Sequence, residues 1–132
     1  MARSHRRQAG LSLKQAEAAL PTGAWGLTIR RSQETVELAL KAALRHAGVE
    51  TPKWHDVGDI LKEHRLRFPT TFANRIDQFA GWSATLRERR ELSLYGDETA
   101  EAGSDEVFTK DQATEALGWA REIVAAMLSV VT

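Results

Sequence analysis

Arg87 and Arg90 stand three residues apart in the run Leu86-Arg87-Glu88-Arg89-Arg90-Glu91, so on a helix they share a face, with Tyr95 at or just past the end. A guanidinium suits phosphate because it stays charged and presents a planar fork of donors. If the chain handles RNA or nucleotides, the contact surface is expected to centre on Arg90, with Tyr95, Arg87 and Glu91 around it. The plainer alternative has Arg90 paired with a nearby acid and Tyr95 closing the helix.

Glu37 and Lys41 are a second candidate pair. They lie four apart in the favourable acid-then-base order, worth roughly 0.2–0.5 kcal/mol when exposed. Either they line a polar cavity beside the core and touch a nucleotide, or they are an ordinary helix pair. His55 precedes Asp56, which has the character of a helix cap. His55 is then either a turn residue or a general base facing a bound nucleotide. His46, His55 and His64 lack tight ligand spacing with carboxylates, and there is no cysteine, so no metal and no cofactor are expected. Further basic groups are Arg3, Arg6 and Arg7, Arg65 and Arg67, and Arg89. They read as a phosphate-following patch or as a solvated face.

Composition bounds these readings. With 18 basic and 18 acidic residues the formal net charge is zero, which argues against bulk electrostatic capture of nucleic acid and leaves only local patches. The absence of cysteine removes disulfides, thiolate catalysis and iron–sulfur clusters. No apolar run approaches the roughly 18–20 residues that span a bilayer, so no membrane partner is expected and the expected compartment is cytoplasmic. The 132 residues fit one domain, residues 1–132, with a core large enough to need no staples.

The elements that must position these groups read as five helices and no strand. Residues 4–20 carry Leu13, Ala16 and Leu20 and stop at Pro21-Thr22-Gly23. Trp25 to Ala47 is striped by Ile29, Val36, Leu40 and Leu44, with Gly48 where a left-handed C-terminal residue belongs. Residues 54–64 carry Val57, Ile60 and Leu61. Thr71 to Leu94 is striped by Phe72, Ile76, Phe79, Ser83 and Leu86. The last helix repeats Ala113, Leu117, Ala120, Val124, Met127 and Val131 behind a Thr109…Gln112 capping box. Tyr95–Phe108, acidic and unpatterned, reads as a surface loop. Short connections predict an all-α, up-and-down antiparallel bundle. Apolar stripes on more than one face of the second and fourth helices suggest a homodimer. The four tryptophans read as packing groups rather than base-stacking platforms.

Several pieces together resemble a known family. Ser32-Gln33-Glu34-Thr35-Val36-Glu37 with Lys41, then Gly48, Pro52, His55-Asp56-Val57 and Ile60-Leu61, then Arg90 and Tyr95-Gly96-Asp97, are similar in order and spacing to HEPN domains (higher eukaryote and prokaryote nucleotide-binding), in particular to archaeal-type members. The resemblance spans about residues 4–130. It implies a dimerising helical bundle that cleaves RNA or binds nucleotides, often beside a minimal nucleotidyltransferase in a toxin–antitoxin or regulatory module. Active HEPN ribonucleases carry an Arg followed after four to six residues by His, and need no metal. Here Arg90 is followed by Tyr95 instead. A tyrosine pKa near 10 lies about 3 units from neutrality, roughly 4 kcal/mol of misplaced proton affinity, so Tyr95 suits hydrogen bonding or stacking better than proton abstraction. Three readings follow: a dimeric RNA- or nucleotide-binding module, a metal-independent endoribonuclease using Arg90 and Tyr95, and a non-catalytic oligomerisation scaffold.

Overall fold

Helix α2 (Trp25–His46) is the axis on which the other elements pack. It is flanked by α1 (Ala2–Ala19), α3 (Val57–Glu63), α5 (Ile76–Thr99) and α6 (Lys110–Val130), while a short α4 (Thr70–Ala73) precedes α5. Two single-turn 3₁₀ segments, Leu20–Thr22 and Arg65–Arg67, make the corners. The structure, a computed structural model, describes residues 2–51, 56–99 and 107–131, and of residues 93–99 only the backbone. Among the described residues there is no strand.

The contacts fix the helix directions. Ser12 on α1 donates to the Arg31 carbonyl on α2 at 3.1 Å, while His5 lies beside Lys41 and Arg45 further along. Rising numbers on one helix meet falling numbers on the other. The same crossing relates α5 to α6 through Arg89–Glu115 and through Arg75, just before α5, with Glu122, and joins Arg90 on α5 to the Arg30–Glu34 turn of α2. The bundle is up-and-down, as the short connections require.

The apolar stripes of α2 and α6 lie where the periodicity puts them. Ile29, Val36, Leu40 and Leu44 are fully buried, and Ala113, Leu117, Ala120, Val124 and Met127 are buried on α6, with Val131 buried at its C-cap. The seam of α1 differs from the expected one. Ala9, Ser12, Ala16 and Ala19 are buried, while Leu13 and Leu20 are only partly buried at its edge. Small side chains at helical spacing let α1 lie close on α2, whose Ala39, Ala42 and Ala43 are also buried. The surplus apolar faces of α2 are thus covered within the chain by α1, α5 and α6. On α5, Phe79 contacts Trp82, which stacks on Trp119 at 5.3 Å with an 8° interplanar angle. Trp54 lies outside the described residues.

Helix ends obey local chemistry. Gly48 takes φ +84°, its N–H bonds the Arg45 carbonyl (3.0 Å), and Val49 N–H bonds the Leu44 carbonyl (2.9 Å), a complete Schellman closure. Thr109 and Gln112 form the reciprocal capping box.

Two boundaries correct the sequence reading. The helix expected from Thr71 is broken at Asn74–Arg75, leaving α4 and α5 and making six helices among the described residues instead of five. Asn74 ends α4 with its N–H on the Thr70 carbonyl (2.9 Å), and Arg75 N–H closes a tighter turn on Phe72 (3.0 Å). Asparagine favours such turns because its amide competes for nearby backbone groups. The loop expected from Tyr95 begins later: α5 runs to Thr99, so Tyr95 sits within its last turns. No proline interrupts this stretch, and an established helix gains one bond per added residue. Residues 100–106 of that expected loop lie outside the described residues.

Candidate functional site

The carboxyl of Asp56 is where α3 begins and where α5 is tied to it. Its Oδ1 accepts the Gly58 N–H at 2.8 Å, the N-cap bond, while Arg87 Nη2 and Nη1 reach Oδ1 and Oδ2, each at 3.1 Å. Such a two-point fork is stronger and more directional than a single contact. The Arg87 hydrogen bond, seconded by the Gly58 N–H and opposed by partial burial, holds the Asp56 carboxyl below its ordinary range. Arg87 in turn is held more firmly charged, first by Asp56, then by the nearby charges of Glu37 and Glu91. The close approach is set by Gly58: a Cβ there would stand 2.9 Å from Ala80 Cβ and 3.2 Å from its Cα.

One turn beyond, Arg90 is exposed and has no partner among the described residues. It lines a cleft of about 320 Å³ with Leu27, Arg30, Arg31 and Glu34 of α2. Arg31 pairs with Glu34 at 3.0 Å, so three guanidiniums face one carboxylate already engaged. Beneath the surface of α2, Arg30 Nε and Gln33 Oε1 are buried without hydrogen-bond partners. Orphaned buried polar atoms are few in native proteins and mark places where side chains serve more than packing.

The cleft continues along α2. It shares Glu34 with a second cavity of about 310 Å³ between α1 and α2, which Glu37 and Lys41 also line. Glu37 accepts from Gln33 Nε2 at 3.3 Å instead of pairing with Lys41. Both residues of this predicted pair thus face a groove.

The structure therefore places Asp56, Glu37 and Glu91 near the Arg87 guanidinium, with Arg90 one turn away in its own cleft. It does not gather all the basic groups. Arg89 turns to α6, meeting Glu115 at 2.9 Å and covering the Trp119 ring at 5.3 Å. Arg65 is held by Asp77 (2.6 Å) and Arg67 by the Ala47 carbonyl (3.3 Å). Arg3, Arg6 and Arg7 border an apolar groove against α6. His55 lies outside the described residues, as does the side chain of Tyr95. Sequence reasoning missed Arg30 and Arg31, and named Gln33 only within the family resemblance. The signal was present: Arg30, Gln33 and Glu37 recur at spacings of three and four, a polar stripe beside the apolar one.

Residues 2–130, almost the whole chain and including both faces of this cleft, match the HEPN domain. The chain belongs to the HEPN domain family. Its fold is similar to the crystal structure of TT1696 from Thermus thermophilus, with a TM-score of 0.68 and 22% identity over 97% of this chain and 96% of that one. At that identity the likeness concerns the fold. No curated protein matches the chain. In this HEPN domain the pieces that carried the sequence resemblance lie on adjoining elements: Gln33, Glu34, Glu37 and Lys41 on α2, Asp56 at the start of α3, and Arg90 on α5. No described helix is long and apolar enough to cross a membrane, and no described cluster of His, Asp and Glu could hold a metal ion.

Proposed function

We propose that this HEPN domain binds RNA or a nucleotide through the α2–α5 cleft, with Arg90 as the exposed contact and Arg30 and Arg31 beside it. The observation that carries the reading is the cleft's charge: three guanidiniums and one ion-paired carboxylate around about 320 Å³, with Arg30 Nε buried and unpartnered. Arg90 approaches phosphate from solvent, while Arg87 is engaged by Asp56 and sets the position of α5. Tyr95, about one and a half turns further along α5, offers a ring for stacking and a hydroxyl for hydrogen bonding. Binding is favoured over cleavage because the described lining holds guanidiniums and an engaged carboxylate, groups suited to holding phosphate and poorly suited to moving a proton at neutral pH.

The protein works as a homodimer in this reading, two clefts presenting doubled positive charge to one strand, and its protein partner is a minimal nucleotidyltransferase. Both features come from the family resemblance. Fluorescence anisotropy with a short labelled RNA and with labelled nucleotide tests the binding. Arg90→Ala should weaken it by about tenfold, one charged contact, and lower its salt dependence. Unchanged affinity in both Arg90→Ala and Arg30→Ala overturns the assignment. RNA cut equally with and without EDTA, and not by Arg90→Ala, would establish the endoribonuclease reading instead. Sedimentation decides the dimer.

A further inference from the structure

The far end of the α2 groove holds a second cationic pocket, distinct from the Arg90 cleft. It lies between the first turns of α1 and the last turns of α2, a cavity of about 210 Å³ lined by His5, Lys41, Arg45 and Thr51. Lys41 is ten residues beyond Arg31, ~15 Å of helix at ~1.5 Å per residue, so the two ends are separate sites.

Two polar atoms at this pocket, His5 Nδ1 and Thr51 Oγ1, are buried without hydrogen-bond partners among the described residues. Lys41 is half-buried and has no ion-pair partner among the described residues. Arg45 is engaged through Nη1 alone, by Glu50 at 3.0 Å, whose side chain is 88% exposed and so holds it weakly. All four lining side chains can donate, and two carry permanent positive charge at neutral pH. Donors with unfilled capacity, lining a cavity several times the ~30 Å³ share of a liquid water, match a tetrahedral oxyanion with its solvent. A neutral or cationic ligand would leave Lys41 uncompensated and Arg45 balanced only by the exposed Glu50. A carboxylate would use only two of the four donors' directions, whereas a phosphate group offers an acceptor to each.

We infer that His5, Lys41, Arg45 and Thr51 form a binding site for a phosphate-class oxyanion, either free phosphate or the terminal phosphate of a monoester. Burial, then Lys41 and Arg45, depress the proton affinity of the imidazole, and a bound anion would counter the two cationic contributions.

The test titrates the full chain with inorganic phosphate, against sodium chloride at matched ionic strength, and reads the His5 ring and the Lys41, Arg45 and Thr51 amide resonances. Saturable shifts with phosphate and not with chloride are expected. Lys41→Met, which keeps the stem, and Thr51→Val should each weaken binding by about tenfold or less, the size of one hydrogen bond. Arg90→Ala should leave it unchanged, which separates this site from the proposed RNA cleft. A parallel titration with a nucleoside 5′-monophosphate fixes the source: tighter binding than phosphate assigns a monoester, equal or weaker binding assigns the free ion. Shifts that do not saturate, that chloride reproduces, or that persist undiminished in both Lys41→Met and Thr51→Val overturn the inference.

Discussion

Asp56 does two jobs that two substitutions can separate. Asp56→Asn keeps a side-chain oxygen for the Gly58 N–H and removes the charge that Arg87 grips; Asp56→Ala removes both. A lost N-cap costs about 1 kcal/mol. The ion pair has two-point geometry, but its side chains are 33% and 32% exposed, so solvent screening limits it to about 1 kcal/mol. Asn should therefore cost about 1 kcal/mol and Ala about 2 kcal/mol, which for a chain of this size lowers Tm by about 3–4 °C and 6–8 °C respectively. The pH dependence has a definite sign. The folded-state pKa of Asp56 lies below its ordinary value, so the unfolded chain binds the proton more readily. The pair's stabilisation is present above about pH 4 and disappears as pH falls through the lower folded value. Thermal unfolding by circular dichroism at neutral pH and in steps down to acid checks this. The gap between the natural protein and Asp56→Asn should close toward low pH, while the further gap to Asp56→Ala should persist. If Asn and Ala cost the same at neutral pH, the cap is worth nothing. If the Asn deficit does not shrink with acid, the charged pair is not its cause.

Gly58→Ala should destabilise by about 1–3 kcal/mol in denaturant unfolding, because its Cβ would press on the Ala80 backbone and side chain and push α3 off α5. His5 gives a second pH signature: its folded pKa lies below the ordinary 6.5, chiefly through burial and then through Lys41 and Arg45, so the unfolded state binds the proton first and stability falls as pH drops through about 6.5. In His5→Gln that slope should be shallower, as measured by urea midpoints between pH 7.5 and 5.5.

The sequence alone determined the helices wherever a strong stripe met clear end signals. α2 and α6 follow from apolar residues at spacings of three and four, Gly48, and the Thr109–Gln112 box, because periodicity and capping act within a few residues of chain. The same local rule put Asp56 at the start of α3. It misjudged α1, where the seam is Ala9, Ser12 and Ala16, since only the proximity of α2 makes small residues the buried ones. It also missed the break at Asn74 and the continuation of α5 to Thr99, both close contests between a turn and one more helical bond. The site divides in the same way. Arg87 and Arg90 share a helix face by spacing, but only packing shows that Arg87 is spoken for by Asp56, thirty-one residues away in sequence, and that Arg90 has no partner among the described residues. Arg30 and Arg31 become site residues only when α5 is laid across α2, and His5 meets Lys41 and Arg45 only because α1 runs antiparallel to α2. Charge type and helix phase are local properties of the chain; which charges remain uncompensated depends on which faces the bundle brings together.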